Sequence, residues 1–179
     1  TTISSYFHFN CLLAYKSILK MSNLIYSDAK FSKDRVYRYA LWRTWDTSLP
    51  KLLFIGLNPS TADEINDDPT MRRCIRFAKD LDYGGFIMGN IFAYRSTDPK
   101  KLSEIKEPIG ERNNYWLSRL HQEANMTIAA WGNHGKYLKR GNEVVILLDK
   151  LYCLKITKEG FPSHPLYLSS KLKPLKYKK

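Results

Sequence analysis

Apolar and polar positions change their period several times along this chain, and each change marks an element. From Tyr37 to Trp45 aromatic and aliphatic residues alternate with polar ones, the pattern of a half-buried strand. Asp46 to Pro50 reads as a turn. Lys51-Leu-Leu-Phe-Ile-Gly-Leu57 is a continuous apolar run, as expected of a strand buried on both faces of a parallel sheet. A turn at Asn58-Pro59-Ser60-Thr61 ends it. Asp68 is expected to cap a helix that starts at Pro69 and runs to about Leu81, with Met71, Cys74, Ile75 and Ala78 on one face. Tyr83-Gly84-Gly85 breaks that helix, and Phe86-Ile-Met-Gly-Asn-Ile-Phe92 predicts a second buried strand.

The pattern then repeats. Ser96 to Pro99 is a loop that caps a short helix near Lys100, and Gly110 to Glu123 reads as a helix with Trp116, Leu117 and Leu120 at helical spacing. Thr127 to Trp131 predicts a third strand, running into Gly132-Asn-His-Gly135. A helix is expected from about Lys136 through Val144 to Leu148, then a fourth strand from Leu151 to Ile156 and a closing loop from Gly160 to Pro165. Strands that alternate with helices in this way imply an α/β domain built on a parallel sheet. Residues 21–170 are expected to form that single domain. Residues 1–20 are read as upstream of a natural start at Met21 and set aside, and residues 171–179 as a basic tail.

Composition sharpens the picture. The chain has 179 residues, with 29 Lys and Arg against 17 Asp and Glu, a net charge of +12. Such a surface favours polyanions, nucleic acid first. The charge is uneven: five lysines and no acid lie between Lys171 and Lys179, while residues 1–20 hold Lys16 and Lys20 and no acid. Cys11, Cys74 and Cys153 are far apart with no paired spacing, which excludes a disulfide scaffold, a zinc finger and a four-thiolate cluster. No cofactor or metal ligand set emerges. The stretch from Ile3 to Leu19 is broken by polar residues and cannot span a bilayer, so a cytoplasmic location without membrane contact is expected.

Candidate chemistry sits at the predicted strand ends, where open α/β sheets bind ligands. Gly56-Leu-Asn58-Pro-Ser60-Thr-Ala-Asp63 follows the first core strand, and Asn90, then Tyr94-Arg95, follow the second. Trp131-Gly-Asn133-His134 follows the third and Ser163-His164-Pro165 the fourth. Each feature alone also suits a turn or a buried amide. Four at successive strand ends point to a site.

From Tyr37 to Tyr167 the chain resembles domain-of-unknown-function family 1643, a bacterial and phage family whose name carries no activity. The likeness rests on Leu-Asn-Pro-Ser-Thr-Ala-Asp63, Asp67-Asp-Pro-Thr70, Arg72-Arg-Cys74, Asn90-Ile-Phe-Ala-Tyr-Arg95, Thr97-Asp-Pro99 and His164-Pro-Leu-Tyr167. More distantly, Gly56-Leu-Asn58-Pro59, Asn90 to Arg95, Ala129-Ala-Trp-Gly132 and His164-Pro165-Leu-Tyr-Leu168 resemble, in order, four segments of the uracil-DNA glycosylase superfamily. That resemblance implies a three-layer α/β/α sandwich around a central, mostly parallel sheet of four to five strands. It implies hydrolytic excision of a damaged or modified base from DNA, with Asn58 (or Asp63) orienting water and His164 holding the departing base. Asn90 would read a base edge and Phe92 or Tyr94 would stack on it. Arg72, Arg73, Arg95, Ser60 and Ser163 are candidates for phosphates. Leu166 and Tyr167 depart from the serine of the superfamily's last loop. A non-catalytic nucleic-acid or nucleotide binder, and a hydrolase acting on a free modified nucleotide, are the competing expectations.

Overall fold

The computed structural model describes residues 25–177, and the expected upstream segment, Cys11, Lys178 and Lys179 lie outside them. Seven strands form one sheet: β1 (Tyr26–Phe31), β2 (Arg38–Thr44), β3 (Lys51–Gly56), β4 (Gly85–Asn90), β5 (Met126–Ala129), β6 (Leu151–Cys153) and β7 (Leu175–Lys176). Their spatial order is β1-β2-β4-β3-β5-β6-β7. β4, β3, β5 and β6 are parallel neighbours. β1 and β2 extend one edge antiparallel and β7 the other.

The expected four to five mostly parallel strands are therefore corrected to a mixed sheet of seven. The strand expected at Tyr37–Trp45 is β2, and it lies antiparallel between β1 and β4. β1 gave no apolar signal because Tyr-Ser-Asp-Ala-Lys-Phe is an edge strand left half open to solvent. The end of the chain is also built in. Leu175 pairs with Cys153, and Tyr177 is buried with its ring 6.0 Å from that of Trp131, so the tail is not a free basic arm from its start.

Among the described residues, three α-helices cover the two faces. α1 (Pro69–Asp80) lies on one face, where Met71, Cys74, Phe77 and Ala78 meet Leu52, Phe54, Phe86 and Met88. α2 (Asn113–Glu123) and α3 (Arg140–Leu147) lie on the other, packing against Leu53, Ile55 and Ile87. Alternate residues of β3 and β4 thus serve opposite cores, which is why their sequences are apolar throughout. The helix expected from Lys136 is interrupted: Leu138 and Lys139, at the end of the 3₁₀ stretch Asn133–Lys139 and just before α3, are both left-handed, at φ 52° and 55°. The strand expected to reach Ile156 ends at Cys153, and Ile156 instead bridges to Pro162. No helix among the described residues is long and apolar enough to cross a membrane.

The chain leaves β3 towards β4 on one side, then crosses to β5 and β6 on the other. The strand order reverses at β3, and the carboxyl ends of β3, β4 and β5 converge there. That is where doubly wound sheets open a crevice.

Candidate functional site

A cavity of 570 Å³ opens at that point, within the range of small-molecule sites. Gly56 at the end of β3 and the following Leu57 and Asn58 contribute to it, as do Asn90 at the end of β4 and Trp131 to His134 in the segment after β5. The start of α1 adds Asp68, Thr70 and Met71, and the last loop adds Ser163, His164 and Tyr167.

Asn90 is the third residue, after Phe86 and Met88, on the α1 face of β4, so an amide replaces the next apolar side chain of the row. It is only 3% exposed, and its Nδ2 has no hydrogen-bond partner. Its register partner is Gly56, which leaves room for the amide. Behind it, Asn113 Nδ2 donates to the carbonyls of Asn90 (3.0 Å) and Ile91 (2.9 Å), fixing the strand end. A buried unpaired donor in a cavity is a group that waits for an acceptor.

Asn58 Nδ2 donates to the carbonyls of Pro59 (3.0 Å) and Ser96 (2.7 Å). The nitrogen is held by main chain, and Oδ1 is the acceptor the residue offers a ligand or water. His164 is half-buried and caps the 3₁₀ turn Pro165–Tyr167, with Leu166 N–H donating to its Nδ1 at 3.4 Å. That bond sets the tautomer: the proton of the neutral ring sits on Nε2. Burial lowers the imidazole below its ordinary value, against a smaller opposing pull from Asp68, so the ring is neutral at pH 7.

Two charged residues that sequence reasoning did not assign to the site belong to it. Arg38 lines the cavity at 2% exposure; its Nη1 donates to Ala62 O at 2.7 Å, and its Nε has no partner. Asp68 is the carboxylate among the lining residues, and its Oδ1 accepts from Met71 N–H at 2.8 Å as the cap of α1. Its cap pattern is plain in Asp68-Pro69, but nothing local shows that the helix starts at the cavity wall.

Of the residues expected at the site, the structure brings Asn58, Asn90, His164, Ser60 and Ser163 to this cavity. The others lie elsewhere. Asp63 accepts from Asn66 N–H (2.7 Å) and Ile65 N–H (2.9 Å), which hold its carboxyl down at about 2, and it closes its own turn away from the cavity lining. Phe92 is fully buried on the α2/α3 face, its ring 5.7 Å from that of Tyr137. Tyr94 sits edge-on to Tyr37 at 6.0 Å. The aromatic side chains at the cavity are instead Trp131, buried against Gly135 and Gly141, and Tyr167, which is 90% exposed.

The three arginines expected to bind phosphate have local partners. Arg72 donates to Asp67 O, and Arg95 lies over the Phe31 ring with Nη1 on Arg35 O. Arg73 lies over Phe77 and donates to Leu168 O, which ties α1 to the loop that carries His164. The acidic loop is likewise internal: Arg43, 1% exposed, donates from Nε to Asp67 at 2.9 Å and from Nη2 to Asp63 O at 2.7 Å. Arg35 pairs with Glu64. No group of three or more metal-ligating side chains occurs among the described residues.

The family model described as "protein of unknown function (DUF1643)" matches residues 38–166, and the chain belongs to that family. That span runs from Arg38 on β2 to Leu166 beside His164, and so encloses every residue assigned above to the cavity except Tyr167. No curated protein matches the chain.

Proposed function

We propose that this member of the DUF1643 family is a nucleobase-excising hydrolase acting on a damaged or modified base in DNA, on a uracil-DNA-glycosylase-like α/β/α scaffold. The observation that supports the reading most is the meeting of Asn58, Asn90 and His164 in one cavity at the strand switch point. The net charge of +12 suits a polyanionic substrate.

A flipped nucleotide would enter with its base inward, at a cost of a few kcal/mol for unstacking. Asn90 Nδ2 would donate to an acceptor on the base edge. Asn58 Oδ1 would accept a hydrogen bond from water and aim its oxygen at the anomeric carbon. The bond from that carbon to the base nitrogen breaks, and its electron pair leaves with the base. Neutral His164 donates through Nε2–H to the negative charge that develops there, a preorganised electrostatic contribution. The water oxygen closes the new bond to carbon, and Asp68 accepts the water's proton. Its charge also stabilises the cationic sugar of the transition state. Tyr167 at the cavity rim offers an exposed ring for stacking.

The test is an assay for abasic sites in oligonucleotides that carry uracil or other modified bases. The reading expects abasic sites with at least one such base, and their absence with every base tried counts against it.

A further inference from the structure

The guanidinium of Arg38 stands out among the buried cations. Arg43 has Asp67 and Arg140 has Glu143, at 2.9 Å and 3.1 Å, whereas no ion pair among the described residues involves Arg38. Its side chain is almost wholly buried, its Nη1 is held by Ala62 O, and its Nε is unpartnered. Burial pulls it down to about 10, which leaves it charged at neutral pH. A buried charge without a counter-ion is strongly unfavourable unless something compensates it. Asp68, the carboxylate nearest in effect, is occupied on Oδ1 by the α1 cap and is not within ion-pair distance. The neighbouring uncompensated group is again a donor, Asn90 Nδ2. Arg38 Nε and Asn90 Nδ2, the first of them cationic, are thus both unpartnered donors on residues that line the cavity.

We propose that Arg38 is the anion-holding residue of the cavity: its guanidinium pairs with negative charge on the ligand group seated beside Asn90, and the site selects ligands that are anionic there over neutral isosteres. The Nε–Nη2 edge of an arginine whose Nη1 is engaged matches a pair of acceptor oxygens. The choice of a heterocycle as that ligand rests on the nucleobase reading; the anion requirement does not. In that reading Arg38 holds the departing base as its anion. The same chemistry fits a phosphate oxygen, and the two sources are separable.

The experiment is calorimetric titration of the full chain at pH 7 with three probes: uracil, its isostere barbiturate (anionic at that pH) and inorganic phosphate. Wild type is expected to bind barbiturate roughly tenfold to hundredfold tighter than uracil, the range of a charged hydrogen bond. Arg38→Met, which removes the charge but keeps an apolar stem, should lose that preference while melting as a folded protein. Arg38→Lys should restore part of it. Arg38-dependent binding of phosphate with neither heterocycle bound would support the anion subsite and overturn the nucleobase reading. Equal binding of uracil and barbiturate by wild type, an unchanged preference in folded Arg38→Met, or no binding of any probe would overturn the proposal.

Discussion

Gly56 and Asn90 are register partners on the last rung of the β3/β4 pair, and a Cβ on Gly56 would lie 2.8 Å from Asn90 Oδ1. The absence of a side chain on one strand is what lets the amide of the other lie buried at the cavity. Gly56→Ala is therefore expected to displace the Asn90 amide and weaken base discrimination, while the strand pairing persists. Alanine also carries no left-handed penalty there, since Gly56 is not among the positive-φ glycines. A crystal structure of the variant with the amide unmoved would contradict this.

Asp67 and Asp68 are adjacent but should fail differently. Asp67 neutralises buried Arg43, so Asp67→Asn should lower stability by about 1.5–3 kcal/mol, the worth of a hydrogen bond to a charged group. At roughly 2–4 °C per kcal/mol for a chain of this size, the melting temperature falls visibly. Asp68→Asn keeps a good helix cap, because Asn serves that position as well as Asp. It should melt near wild type yet excise more slowly, for want of the carboxylate. Equal melting temperatures for the two variants would undo the distinction.

The four core elements of the parallel sheet were legible because a strand covered on both faces is apolar at every position, as Leu52 to Ile55 and Phe86 to Met88 are. Asn58 and Asn90 could be placed at strand ends, and His164 in the last loop, from order alone. Edge strands could not: β1 carries Ser, Asp and Lys, and β7 is two residues inside a lysine-rich tail. Phe92 shows a different limit. It lies two residues past Asn90, but the chain has left the strand there, and the side chain turns into the α2/α3 core instead of the cavity. Arg38 and Asp68 were missed because burial without a counter-ion, and the nearness of a helix start to a cavity, are properties of the fold.

The chain end carries stability as well as charge. Tyr177 is 5% exposed, packs edge-on to Trp131 and donates from its hydroxyl to Gly160 O at 3.1 Å. Tyr177→Ala is expected to cost roughly 3–5 kcal/mol, as for other buried aromatic truncations. Removing residues 171–179 should therefore destabilise the fold and, under the proposed DNA-acting function, also flatten the salt dependence of binding to DNA through the loss of lysines. Urea unfolding of both variants checks this; a truncated chain as stable as wild type would refute it.

His164 links pH to stability. Its folded pKa lies below the ordinary 6.5 because of burial, so the unfolded chain takes up this proton first as pH falls. The stability associated with the neutral ring is complete above about 6.5 and declines as pH drops through the lower, folded value. His164→Gln should remove this part of the acid-side slope. An identical slope in wild type and variant, followed by thermal melts between pH 7 and pH 5, would contradict the burial argument.

Single-turnover excision, measured beside thermal melts for wild type, Asn58→Ala and Asn90→Ala, tests the central claim most directly. With an oligonucleotide whose base the wild type removes, Asn58→Ala should slow the chemical step by ~10²–10³, the usual loss for one preorganised group, with DNA affinity nearly intact. Asn90→Ala should narrow discrimination between bases by roughly 1–3 kcal/mol, the worth of a good bidentate base contact. Folded variants that keep the wild-type rate and base preference, or a wild type that leaves no abasic site in any modified oligonucleotide, would contradict the account.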